Sequence, residues 1–180
     1  MPAAEFAILN SIQQIRCDPL DRVMVFVSWT GNHGMVWILL AVMLLLMRRQ
    51  RFHGLSASCA LILDLISCNL ILKPLIGRIR PFVMNPLVEL LVAPPLDASF
   101  PSGHTAAAFA VVFALKTSGS PLWKPAAVWA VLMAFSRLYL YVHWPTDILG
   151  GIILGAIVGW GGAKLVRIAK VYLKRKKAGH

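Results

Sequence analysis

The sequence predicts an all-α fold: a polytopic membrane helix bundle of about five transmembrane helices, preceded by a helix lying in the membrane interface. Three observations predict it. Of the 180 residues, 58% are apolar and only 14% are charged, whereas an ordinary soluble domain carries about 25% charged residues. The apolar residues gather into runs of about 20, long enough to cross a hydrocarbon core of ~30 Å as helix. Most lysines and arginines fall between these runs or at their ends, where water and head groups are within reach. The runs use nearly all of the chain. Residues 1–180 therefore read as one membrane-embedded domain, with 1–22 as an interfacial N-terminal segment and 166–180 as a basic cytoplasmic tail.

Between Ala3 and Ile15, Ile8, Ile12 and Ile15 recur at helical spacing, while Glu5, Asn10, Gln13 and Gln14 interrupt any continuous apolar run. That pattern suits a helix lying flat in the interface. A secretory signal is not expected, since no positive charge opens the chain and no apolar core follows. The crossings are expected at residues 24–47, 54–76, 102–118, 125–142 and 147–165. Near the start of the first, His33 within Gly31-Asn32-His33-Gly34 reads as structural. The second contains Asp64, a costly carboxylate at membrane depth. It lies nine residues before Lys73, about 13 Å along a helix. That is too deep to touch a head group, so it reads as a protonated or paired structural group, or else part of a proton or water path.

In the last crossing Gly151, Gly155 and Gly159 form a small-residue stripe at four-residue spacing. Close internal helix packing is the first reading and a dimer seam the second. Cys17, Cys59 and Cys68 are an odd count with no zinc-site spacing; Cys59 and Cys68, nine residues apart on one expected helix, are too far apart for a disulfide and read as small buried apolar groups.

Orientation follows from the cations of the short connections. Arg48, Arg49 and Arg51 follow the first crossing, Lys116 and Lys124 flank the turn between the third and fourth, and Lys164, Arg167, Lys170 and Lys174 to Lys177 follow the fifth. With five crossings these groups share one side, which is expected to be cytoplasmic. The net charge of +11 then answers to anionic lipid head groups, and nucleic acid is not an expected partner.

Three blocks at the opposite face carry chemistry. Lys73 and Arg80 are seven residues apart, which on one continuing helix places both cations on nearly one face, toward one phosphate, with Pro81 ending that helix. Asn69 stands one turn before Lys73. In Pro101-Ser102-Gly103-His104, Ser102 is a natural N-cap, and the first helical turn offers free N–H groups to an anion. Gly103 lets the backbone approach a phosphate, and His104 can act as a general acid. In the third block Arg137 and His143 bracket the end of the fourth crossing. Asp147, four residues past His143, can take one ring N–H and leave the other nitrogen free to attack. Pro145 opens the last helix where proline is tolerated. The connection Phe82–Phe100 joins two of the blocks, as a lip over the cleft or a plain connector.

The three blocks resemble the signature motifs of the phosphatidic acid phosphatase type 2 superfamily of membrane lipid phosphatases. The patterns K-x6-R-P, P-S-G-H and S-R-x5-H-x3-D match Lys73–Pro81, Pro101–His104 and Ser136–Asp147 without a substitution, within a resemblance covering about residues 23–165. The resemblance implies that His143 is the nucleophile forming a phosphohistidine, Asp147 its orienting partner and His104 the acid that protonates the leaving group. It implies that Lys73, Arg80, Ser102, Gly103 and Arg137 cradle the phosphate, with no metal and no cofactor. Many bacterial members have six transmembrane helices, and here the 3–15 segment takes the place of the first.

The expected substrate is a lipid phosphate or diphosphate, first of all undecaprenyl diphosphate. Phosphatidylglycerophosphate, phosphatidic acid and other isoprenoid diphosphates remain open. The expected location is the plasma membrane, with the site facing the extracytoplasmic side. Two other classes stay in view: a non-catalytic anionic-lipid binding protein, which would need no His143-Asp147 pair, and a phosphotransferase passing the phosphoryl group to an alcohol.

Overall fold

The computed structural model describes residues 2–178, and no strand occurs among them. Met1 of the N-terminal segment and Gly179 and His180 of the basic tail lie outside the described residues. The helices are α1 (Pro2–Gln13), α2 (Asp18–Thr30), α3 (Met35–Leu46), α4 (Arg51–Asp64), α5 (Lys73–Ile76), α6 (Pro81–Met84), α7 (Gly103–Ser118), α8 (Trp123–Tyr139) and α9 (Pro145–Ala178). A π-helical stretch, Leu65–Leu72, joins α4 to α5.

The central helix is α7, which packs on α4, α8 and α9. Its buried face is alanine-rich, with Ala106, Ala107, Ala108, Ala110 and Ala114 among the core residues. Small side chains are needed because α9 comes to van der Waals distance. A Cβ added to Gly155 would lie 2.6 Å from the Ala106 carbonyl oxygen, and one at Gly159 would lie 2.4 Å from that of Ala110. The glycine stripe is thus spent inside the chain, against α7. Large apolar side chains such as Leu39, Ile62, Leu70, Val128, Ile153 and Ile157 point outward, as they do where the solvent is lipid and small residues make the helix contacts.

The first expected crossing is two helices. α2 and α3 meet at 52° across a 3₁₀ turn at Asn32–Gly34, where His33 and Gly34 both have positive φ (53° and 72°). Gly31 makes the bend possible, since any Cβ there would strike Met133 Sδ at 2.6 Å and His104 Cδ2 at 2.7 Å. His33 is therefore a turn residue. Among the described residues, the Arg51–Met84 stretch and Pro145–Lys176 are long and apolar enough to cross a membrane, and the bent α2–α3 pair makes a third if taken as one span. α7 and α8, at 16 and 17 residues, are roughly 24–26 Å long at 1.5 Å per residue, a little short of the ~30 Å core.

The helix carrying Lys73 does not reach Arg80. It ends at Ile76, where Gly77 in the left-handed region (φ 59°) returns its N–H to the Lys73 carbonyl at 3.0 Å. Residue 80 is extended, and Pro81 opens α6 instead of closing the helix before it, a position where a missing N–H costs nothing. The seven-residue helical register therefore fails for this pair.

α1 is a helix as expected, and it is docked as well as amphipathic. Ile8 and Ile15 face outward, while Leu9 is fully buried and Phe6 meets the Trp144 ring edge-on at 4.8 Å. Gln13 donates to the Tyr139 carbonyl at 2.9 Å, and Asn10 accepts from the Tyr141 hydroxyl at 3.0 Å. At the other end of the bundle the basic connections converge. His53 and Ser118 are 2.9 Å apart, Arg167 donates to the Thr117 carbonyl at 3.1 Å, and Lys170 sits 4.8 Å from the Phe52 ring.

Candidate active site

The site forms where α5 ends, α7 begins, α8 ends and α9 begins. Lys73, Arg80, Ser102, Arg137, His143 and Asp147 are all buried there. So many buried polar and charged groups are costly unless they pair or hydrogen-bond, and the contacts show how they do.

Arg80 is the hub. Its Nη1 donates to the Val142 carbonyl at 2.7 Å and stands 3.3 Å from His143 Nε2. Its Nε donates to the Asp97 carbonyl at 2.8 Å and its Nη2 to Asp97 Oδ1 at 2.7 Å. The other carboxylate oxygen of Asp97 pairs with Lys73 Nζ. Lys73 and Arg80 thus come together through an anion and not through a shared helix face. Burial pushes the Asp97 carboxyl up, but Lys73 and Arg80 more than reverse this and hold it at about 2. Burial lowers the Arg80 pKa, and the carboxylates of Asp97 and Asp147 oppose the shift.

His143 lies in the short connection between α8 and α9. Its Nδ1 is 3.4 Å from Asp147 Oδ2, longer than a tight charge-assisted bond. Burial drives its pKa down to about 3, with Asp147 pulling upward and Arg80 and Arg137 pushing down, so the imidazole is neutral. Asp147 is fully buried and fully used. Oδ2 accepts from Ser99 Oγ at 2.5 Å and from the Trp144 N–H at 2.8 Å, and Oδ1 accepts from Arg78 Nη1 at 2.6 Å.

The Pro101–His104 block is tied to the same place, since the Ser102 N–H donates to the Asp147 carbonyl at 3.1 Å. Ser102 occupies the N-cap position of α7 but makes no side-chain cap bond; its Oγ accepts from Thr105 Oγ1 at 3.0 Å. At Gly103 a Cβ would sit 3.4 Å from Lys73 Nζ and 3.5 Å from Asn69 Oδ1, so its absence keeps open the space beside the ammonium. His104 Nε2 is 3.1 Å from Asn32 Oδ1 in the bend between α2 and α3. Arg137 Nη1 donates to Ser28 Oγ, and its buried Nε has no partner among the described residues.

A match to the PAP2 superfamily covers residues 54–170, which include all three blocks. The chain belongs to the PAP2 superfamily. Relatives of this PAP2 chain include the undecaprenyl-diphosphatase of Sulfolobus acidocaldarius, 34% identical over 143 residues that make up 78% of this chain and 68% of that protein. The undecaprenyl-diphosphatase BcrC of Bacillus subtilis is 33% identical over 141 residues, 78% of this chain and 72% of that one. Among solved structures, the PAP2-type phosphatidylglycerolphosphate phosphatase of Bacillus subtilis superposes with a TM-score of 0.74 at 29% identity, covering 97% of this chain and 88% of that one. The protein is a membrane lipid phosphatase of the PAP2 superfamily.

Several contacts of this PAP2 site were not foreseen. Asp97 and Ser99 come from the Phe82–Phe100 connection, which is therefore part of the site wall. The available signal was Asp97 itself, one of only seven acidic residues in the chain, placed just before Pro101. Arg78, two residues before Arg80, and Asn32, beside the bend, were also missed. Asp64 is buried in α4, with Oδ1 lacking a partner among the described residues. No group of three or more His, Cys, Asp and Glu side chains able to hold a metal occurs among the described residues.

Proposed function

We propose that this PAP2 phosphatase hydrolyses a prenyl diphosphate, first of all undecaprenyl diphosphate, at the extracytoplasmic face of the plasma membrane, through a phosphohistidine on His143. The observation that carries the mechanism is the His143 imidazole, buried and neutral between Asp147 Oδ2 and Arg80 Nη1. Its Nε2 is the nitrogen that faces the cationic side, where a phosphate belongs.

In this reading Lys73, Arg80, Arg137 and the free N–H groups at the start of α7 receive the terminal phosphate. The orphaned Nε–H of Arg137 is a buried donor of the kind a phosphate oxygen satisfies. The Nε2 lone pair attacks phosphorus, the bond from phosphorus to the leaving oxygen breaks, and His104 gives that oxygen a proton. For a diphosphate the leaving group is the lipid monophosphate. Water then attacks the phosphohistidine, the N–P bond breaks, His104 takes the water proton, and inorganic phosphate departs. Asp147 accepts the Nδ1 proton's hydrogen bond and steadies the charge that develops on the ring.

The names of two relatives support the prenyl diphosphate. The structural likeness to a phosphatidylglycerolphosphate phosphatase, across 97% of this chain, favours a glycerolipid as the second reading. Five crossings and a cytoplasmic basic end are supported by the convergence of the α4 start, the α7 end and the basic half of α9 at the end of the bundle away from His143. The test is phosphate release by purified protein in detergent with EDTA, across undecaprenyl diphosphate, phosphatidylglycerophosphate and phosphatidic acid. A preference of tenfold or more, about 1.4 kcal/mol in transition-state binding, for the prenyl diphosphate is expected. A glycerolipid preference selects the second reading, and silence in EDTA contradicts the metal-free mechanism.

A further inference from the structure

Among the described residues, the Arg78 side chain makes no hydrogen bond to the cradle residues Lys73, Arg80, Ser102, Gly103 and Arg137. Its Nη1 donates to Asp147 Oδ1 and to Thr146 Oγ1, both at 2.6 Å, and its Nη2 donates to Glu5 Oε2 at 2.6 Å. The other Glu5 oxygen accepts from the Thr146 N–H at 3.1 Å and from its hydroxyl at 2.6 Å. The guanidinium lies 5.4 Å from the centre of the Trp144 ring, which Phe6 meets edge-on. α1 therefore brings both a carboxylate and an aromatic ring to a knot whose far end is Asp147.

The arrangement has a consequence for the nucleophile. Asp147 is wholly buried, and among the described residues the one side-chain bond to its Oδ1 is that of Arg78. Ser99 and the Trp144 N–H hold Oδ2. Pinned at both oxygens, the carboxylate cannot rotate, and the lone pair it turns toward His143 Nδ1 is set. A buried carboxylate oxygen stripped of its charged donor has strong reason to rotate toward another.

We propose that Arg78 is a positioning residue for the Asp147-His143 pair, and that α1, through Glu5, holds Arg78 in the geometry that does so. The inference rests on the phosphohistidine reading and deepens it. The N-terminal helix becomes part of the catalytic apparatus, and turnover becomes sensitive to whether α1 is seated.

The test uses the full chain in detergent with a prenyl diphosphate labelled on its terminal phosphate, measuring kcat, KM and the rate of label transfer to the protein. For Arg78→Ala, kcat and the rate of label transfer are expected to fall together by about 10- to 100-fold, the penalty of a misplaced catalytic group, with KM within about threefold because the Arg78 side chain bonds Glu5, Thr146 and Asp147 and not the cradle residues. A cavity of about 380 Å³ lined by Glu5, Ile76, Arg78, Phe100 and Thr146 opens onto the missing guanidinium. Added guanidinium should therefore restore part of kcat in Arg78→Ala and leave the wild type unchanged. Glu5→Gln should lower kcat in the same direction by less, again at constant KM.

If Arg78→Ala elutes as aggregate, Arg78→Lys and Glu5→Gln carry the test with the same kcat-against-KM split. A kcat within threefold of wild type in the folded variants, or a loss confined to KM, overturns the inference. The wild type separates the two claims: no label on its His143 sinks the phosphohistidine reading, while a labelled wild type with unchanged labelling in Arg78→Ala sinks this inference alone.

Discussion

Gly155→Ala tests whether the α7–α9 contact sets the site. The added methyl carbon would lie 2.6 Å from the Ala106 carbonyl oxygen, 2.8 Å from the Ala110 nitrogen and 2.8 Å from Phe109 Cβ. Two of these three atoms are backbone and cannot swing aside. Ordinary carbon contacts need about 3.5 Å, so the helices must part by roughly 0.7–0.9 Å. Overpacking of this kind costs about 1–3 kcal/mol. The same displacement acts on catalysis, because α7 starts with Gly103 and His104 while α9 starts beside His143, and the Ser102 N–H to Asp147 carbonyl bond of 3.1 Å spans the gap. A shift near 1 Å can cost about 100-fold in rate. The assay is phosphate release together with thermal unfolding in detergent, with Gly161→Ala as control. No neighbouring element among the described residues comes within 4 Å of a Cβ at Gly161, so that change should be neutral or stabilise by up to about 1 kcal/mol. Gly155→Ala with unchanged Tm and kcat within twofold of wild type would show that the α7–α9 contact does not set the site.

Other outcomes follow from the charges. Asp97→Asn removes the anion that Lys73 and Arg80 now share, so KM and the inhibition constant of orthophosphate should both fall. Because the Asp97 side chain is 51% exposed, each ion pair is worth ~1 kcal/mol at most and the gain is about fivefold; a rise in KM would mean that Asp97 organises the cations instead of competing for them. His143 is held at about 3 against an ordinary 6.5, so the unfolded chain binds a proton that the folded chain refuses between those values. Stability should therefore fall as pH drops from about 6.5 toward 3. His143→Gln should flatten the dependence of Tm on pH over that range, and an unchanged slope would place the titrating group elsewhere. For topology, the exposed Cys17 should react with an impermeant thiol reagent in intact cells, while a cysteine replacing Arg49 should not. The reverse pattern would invert the orientation.

Legibility differed by the range of the interaction. His143 and Asp147 are four residues apart across one helix start, and Ser102 to His104 are contiguous, so their juxtaposition could be read locally. Lys73 and Arg80 show their chemistry in the sequence but not the geometry that joins them. Gly77 breaks the helix between them, and what joins them is Asp97, 24 and 17 residues further on. No periodicity reports such a contact. Apolar composition runs through residues 24–47 and gives no sign of the bend between α2 and α3. The break needed two facts of packing, the crowding of Gly31 by Met133 and His104 and the left-handed backbone at His33 and Gly34. The π-helical stretch before Lys73 also shifts side chains off the 3.6-residue period, which hides the facing of Lys73 from a helical wheel. For α1, the helix was visible in the isoleucine spacing, but the reach of Glu5 to Thr146 and Arg78 depends on chain folding across 141 and 73 positions.

A covalent phosphoryl group on His143 is the step on which the mechanism turns. Rapid quench of wild-type protein with substrate labelled on the terminal phosphate, followed by peptide mapping under alkaline conditions, should recover label on the peptide containing His143. The same label should be absent from His143→Ala, while His104→Ala, slowed in its proton transfers, still carries it. Turnover without label on wild-type His143, or label that survives in His143→Ala, would contradict the account.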